Sequence, residues 1–168
     1  MKKTILFFFL IILFSCKKEV KTFKSDLFKF SLEHPVNWEI LTEEESNIIH
    51  VYTPEDSLND GFREMINIVI GSSEGITLDD FFDRNSKIIQ NSFDELEEIE
   101  KANLIKVNDI DFKTIMYNYT FSGYKLSAKI YVAFHKDKSY IINCSALQDT
   151  FENYKIDFEE IVKSIKFN

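Results

Sequence analysis

Between Phe112 and Leu147 the chain runs through three segments rich in β-branched and aromatic residues, Phe112–Phe121, Tyr124–His135 and Ser139–Leu147. Only Ser122-Gly123 and Lys136-Asp137-Lys138 separate them. Links that short cannot hold a crossover helix, so the three segments must pair antiparallel as a meander. The rest of the fold has to be built around that sheet.

Upstream, Phe28, Phe30 and Leu32 alternate with polar residues, and Glu33-His34-Pro35-Val36-Asn37 turns the chain into Trp38-Glu39-Ile40-Leu41. Asn47–Tyr52 alternates again, and Arg63–Ile70 reads as a further strand. Two helices interrupt the strands. The first starts at Thr77-Leu78-Asp79-Asp80, a capping pattern with acids in the positive first turn, and Leu78, Phe81, Phe82, Ile89 and Phe93 recur at helical spacing. The second runs from about Thr150 to Lys166, capped by Asp149 or Thr150, with Phe151, Tyr154, Phe158, Ile161, Val162 and Ile165 in one stripe. Leu96–Val107 fits either an extension of the first helix or a charged edge strand. The pattern predicts an α+β domain, with a central antiparallel sheet of six to seven strands covered by two main helices.

The first sixteen residues, MKKTILFFFLIILFSC, speak to location. Lys2 and Lys3 precede ten apolar residues, Ile5 to Phe14, and then small Ser15 and Cys16. That is the layout of a secretory signal, and ten apolar residues are about half of what a spanning helix needs. Leu13-Phe14-Ser15-Cys16 resembles a bacterial lipobox, whose cysteine is lipidated and becomes the first mature residue. Residues 1–15 therefore read as a signal peptide, 16–25 as lipidated Cys16 plus a lysine-bearing tether, and 26–168 as the folded domain. Lys17 is not the acidic residue that retains enteric lipoproteins in the inner membrane. The expected location is the outer membrane, facing the periplasm, with the membrane as one partner through the lipid anchor and an envelope protein as another.

Loss of the leader removes only Lys2 and Lys3 among charged side chains, taking the formal charge from −8 to −10. An acidic chain without a basic stripe repels phosphate backbones, so nucleic acid is excluded as an expected partner. Cys16 and Cys144 are the only cysteines. With Cys16 lipidated no intramolecular disulfide can form, and Cys144, sharing a strand face with Tyr140, Ile142 and Ala146, is expected to be buried and inert.

The domain pattern resembles the PsbP-like domain, found in photosystem II extrinsic proteins and in bacterial lipoproteins. The resemblance rests on Phe28-Lys29-Phe30 with Pro35 and Trp38, on Phe62–Val69, and on Val107-Asn108-Asp109-Ile110. It continues through Tyr140–Ala146 and the closing Phe151–Tyr154 and Phe158–Ile165. It covers nearly all of the mature chain and implies an α/β/α-type sandwich and a binding or assembly role, with no shared catalytic set. Asn108-Asp109 departs from the asparagine–glycine pair usual there, which leaves the turn type open.

Several short stretches match catalytic or metal-binding motifs by letter. Gly71-Ser72-Ser73-Glu74-Gly75 matches G-x-S-x-G by letter, and Ser73 could be written into a triad with His135 and Asp109 or Asp111. A nucleophile elbow sits on a sharp turn from a parallel strand into a helix, whereas Ser73 precedes the cap Thr77 by four residues. The expectation is a polar loop and no enzyme, with a serine hydrolase kept as an alternative. A small apolar-ligand carrier, with a pocket between sheet and helix, is the other. Asp56-Ser57-Leu58-Asn59-Asp60-Gly61 weakly matches a calcium loop, but Leu58 and Asn67 occupy ligand positions. His34, His50 and His135 lack zinc spacing. No metal or cofactor is expected. The run Asp94-Glu95, Glu97-Glu98, Glu100 is a solvated face or a dock for a basic partner. Asn118-Tyr119-Thr120 matches a glycosylation sequon but falls inside a strand.

Overall fold

The computed structural model describes residues 18–55, 61–93 and 95–168. The meander is present as β7 (Ile110–Phe121), β8 (Tyr124–His135) and β9 (Lys138–Leu147), all paired antiparallel. Ser122 and Gly123 both take left-handed φ angles, 51° and 83°, the conformation whose twist matches two-residue hairpins. Four further strands complete a seven-stranded sheet: β3 (Glu39–Glu43), β4 (Ile48–Tyr52), β5 (Met65–Ser72) and β6 (Glu97–Val107), in the order β3-β4-β5-β9-β8-β7-β6. Leu96–Val107 is thus resolved in favour of the edge strand.

Three features were not read from the sequence. Val20–Ser25, assigned there to the tether, is strand β1, and it pairs along its whole length with β2 (Phe30–Pro35). The reason is local: Phe23 turns inward onto Phe30, with ring centroids 6.2 Å apart, while Lys21 and Lys24 stay exposed. The second helix stops at Ser164 rather than Lys166, and Lys166–Phe167 forms β10 on the other side of β2. A second, three-stranded sheet β1-β2-β10 results. The first helix, α1 (Leu78–Ser92), ends before Phe93, which is extended.

Strand alternation divides the core into two layers. Helix α2 (Phe151–Ser164) and the small sheet cover one face of the large sheet: Phe158, Ile161 and Val162 pack with Phe30, Leu32, Trp38, Ile66, Phe112, Tyr140 and Ile142. On the opposite face α1 packs through Phe82 onto Ile115, Tyr117, Ile130 and Val132. Thr77 caps α1 as expected, its Oγ1 accepting from Asp80 N at 3.1 Å. Thr150 stands at the N-cap of α2 without a capping bond, because its hydroxyl donates instead to Glu64 Oε1 at 2.8 Å.

Polar ties join the layers. Asn108 and Asp109 both have positive φ (47° and 67°), so the β6–β7 turn is of the mirror-image hairpin type. That turn aims Asn108 Nδ2 at Ile165 O, to which it donates at 2.7 Å beyond the end of α2. Tyr140 Oη donates to Phe28 O at 2.9 Å across the two sheets. At the start of the described chain, Lys18 Nζ donates to both carboxylate oxygens of Asp157 on α2, at 2.6 and 2.7 Å.

Candidate functional site

Cys16 lies outside the described residues, as do Asp56, Asn59 and Asp60 of the calcium-like loop and Asp94 of the acidic run. Cys144 is fully buried, and burial raises its thiol pKa well above the ordinary value. A thiol held protonated has little nucleophilic character. Ser73 is buried at the end of β5, where its Oγ donates to Lys136 O at 3.4 Å and its N–H to Asp137 O at 3.0 Å. His135 stacks on Phe167 with 5.1 Å between centroids and 13° between planes, and burial followed by the Lys136 charge lowers its pKa. Asp111 is paired with Lys106 at 3.3 Å, and Asp109 occupies the β6–β7 turn. The serine thus serves the β8–β9 turn, while the histidine serves the β10 packing.

Among the described residues no group of three or more His, Cys, Asp or Glu side chains is placed to hold a metal ion. The acidic run is dispersed rather than focused. Glu97 and Glu98 are exposed on edge strand β6, Glu100 pairs with Lys129 at 2.9 Å, and Glu95 Oε2 accepts from Thr120 Oγ1 at 3.2 Å. Charges and register shifts on an outer strand discourage another chain from adding to it. Asn118 Oδ1 accepts from Ser127 Oγ at 2.6 Å inside the sheet.

The concavity that lies between sheet and helix is a cleft of about 420 Å³. One wall is α2, through Glu159, Val162 and Lys163; the other is β6, and Thr114 and Tyr131 lie between them. The register explains the opening. Strand β6 breaks step with β7 between Glu98 and Glu100 and again between Glu100 and Asn103, so its side chains leave α2 uncovered there. Tyr131 is 2% exposed, and its hydroxyl pKa is pushed up by burial, then by Cys144, Glu159 and Glu100, so it is a neutral hydrogen-bonding group. Ion pairs ring the mouth: Lys129–Glu100 at 2.9 Å and Lys163–Glu159 at 3.1 Å. An aliphatic and hydroxyl interior with a charged rim suits an amphipathic guest rather than a wholly apolar one. Sequence reading could not locate this cleft, because it depends on the strand that the hydropathy pattern left ambiguous.

No family model and no curated relative matches the sequence. Solved structures do match. Cyanobacterial PsbP from Synechocystis aligns with a TM-score of 0.67 at 13% identity, over 89% of this chain and 92% of that one. LpqN, a Mycobacterium tuberculosis protein involved in cell envelope biogenesis, aligns at 0.66 and 10% identity, over 90% and 92%. A Pseudomonas aeruginosa protein described as a putative regulator aligns at 0.62 and 12%, over 86% and 94%. At these identities what is shared is the backbone architecture: an α+β sandwich in which an antiparallel meander carries a helix on each face. That architecture is the PsbP-like fold. The seven strands and two helices agree with the sequence expectation, and the small sheet adds to it.

Proposed function

We propose that the chain is a lipid-anchored, non-catalytic binding or assembly module of the bacterial cell envelope. It is held through Cys16 at the outer membrane and faces the periplasm. The observation that carries this reading is a lipobox-like leader ending at Cys16 immediately ahead of a PsbP-like domain. An envelope role is also that of LpqN, which has the same fold. Among the described residues no helix is long and apolar enough to cross a membrane, so attachment in this reading is the work of the lipid. Its partner is an envelope protein.

The test is metabolic labelling of the producing bacterium with an alkyne fatty acid. Wild-type protein should be labelled and sediment with membranes, and Cys16→Ala should be neither. An unlabelled, freely soluble wild type overturns the anchor. Crosslinking followed by affinity capture then tests the assembly role, which fails if no envelope protein is retained by wild type over Cys16→Ala.

A second reading, a carrier, is favoured by the cleft beneath α2. Its charged rim calls for an amphiphile. Displacement of a bound fluorescent fatty acid, abolished by filling the cleft from its exposed wall with Asn103→Trp, is the outcome that reading requires.

A further inference from the structure

The sheet face opposite α2 has a depression that no sequence motif announced. Asn143 and Ser145 of β9, with Met65 and Asn67 on the neighbouring strand β5, line a hollow of about 300 Å³. Two aromatic walls flank it. Phe62 stands against Tyr124, 5.6 Å between centroids; Phe93, just beyond α1, contacts Tyr119 at 4.5 Å and Phe121 at 5.9 Å. Gly61 lets the first wall close, since a Cβ there would lie 2.6 Å from the Tyr124 hydroxyl oxygen.

The floor is polar and unfinished. Ser145 is 1% exposed and its Oγ has no hydrogen-bond partner; nor does Asn143 Oδ1, although the Asn143 side chain is also hydrogen-bonded to the Tyr119 hydroxyl. Buried polar atoms without partners are uncommon and costly, and the two residues that carry these line the hollow. Both can accept a hydrogen bond, and Asn143 Oδ1 can do nothing else. Among the described residues lining the hollow none is charged, so no lysine or arginine competes for the ring faces.

Ring faces carry negative potential, and several around one space attract weakly hydrated cations. We propose that this hollow is a binding site for a small organic ammonium ion, with the rings taking the cationic head and Asn143 Oδ1 and Ser145 Oγ accepting from its N–H or O–H donors. The ligand class covers free amino alcohols and the head groups of zwitterionic lipids, which share that chemistry.

The test uses the full chain in a maltoside detergent, titrated with choline and with ethanolamine while the aromatic resonances are followed by NMR. Saturable shifts are expected at Tyr119, Phe121 and Tyr124. Phe121→Ala and Tyr124→Ala, both at a partly exposed hairpin tip, should each weaken binding roughly three- to thirtyfold. Ser145→Ala, a minimal change, should weaken the hydroxyl-bearing probes and leave tetramethylammonium unaffected. Dimethylbutanol, the neutral carbon isostere of choline, should bind at least about tenfold more weakly. Glycerophosphocholine and glycerophosphoethanolamine separate the two sources: equal or tighter binding assigns lipid head groups, and weaker binding assigns the free amines. The proposal is overturned if the neutral isostere binds as well as choline, if no probe saturates, or if the ring variants bind unchanged.

Discussion

On one face of the seven-stranded sheet α2 buries Phe151, Asp157, Phe158, Ile161 and Val162, and the β1-β2-β10 sheet adds Phe30 and Leu32 to the same core. On the other face α1 fully buries only Phe82, while Ile88 and Val69 stay exposed. The first side carries the larger core and opens only at the cleft between α2 and β6. The second carries the smaller core under a partial cover that leaves part of the sheet open beside a ring-lined hollow. Packing is therefore concentrated on the α2 face, and each face keeps a concavity.

The largest effect should come from Phe158→Ala. Its ring is 1% exposed and contacts Trp38, Phe151 and Tyr154, so about 3–5 kcal/mol should be lost in denaturant unfolding, with every strand losing amide protection together. Phe82→Ala should cost less, about 2–3 kcal/mol, because a loosely held α1 can relax around the gap. Hydrogen exchange should quicken within α1 while β5 and β9 stay protected; equal exposure everywhere in both variants would erase the distinction between the faces. Thr77→Ala, which removes the α1 cap, should cost about 1 kcal/mol and appear in the same amides.

Two smaller effects belong to the α2 face. His34 and His135 have lowered pKa values, chiefly through burial, so the unfolded chain takes up their protons first as pH falls. Their contribution is unpenalised above the ordinary histidine value of about 6.5 and worsens as pH drops from there toward the folded-state values. Denaturation midpoints measured on either side of that range should therefore fall on acidification, and should fall less in a His34→Gln, His135→Gln double variant. The smallest signal is Cys144, which should resist iodoacetamide until denaturant opens the α2 face.

Much of the scaffold was legible because its signals were local. The meander followed from links of two and three residues, and α1 from the Thr77 cap. The α2 stripe was read two residues too far, since Ile165 is 2% exposed yet extended rather than helical. Other elements carried no local signature. Strand β6 hid behind glutamates because an edge strand with two register breaks loses the period-two pattern. Strand β1 looked like a tether because four lysines and a glutamate surround its one inward ring, and β10, two residues long, has no period at all. Both concavities escaped for a related reason. One depends on those register breaks, and the other on residues of β5, β7, β8 and β9 that become neighbours only after the strands pair. For the residues proposed as catalytic alternatives the contrast runs the other way: a motif legible by letter in Ser73 resolved into a turn contact.

The clamp of Lys18 on Asp157 has a mechanical consequence. If lipid is attached at Cys16, the first paired residue, Val20, follows only four positions later, a contour of at most about 14 Å. Such a leash gives the globule little freedom to tumble: it would ride against the bilayer with its amino-terminal strand lowermost, and which flank of the sheet greets an approaching molecule would be decided by the anchor itself.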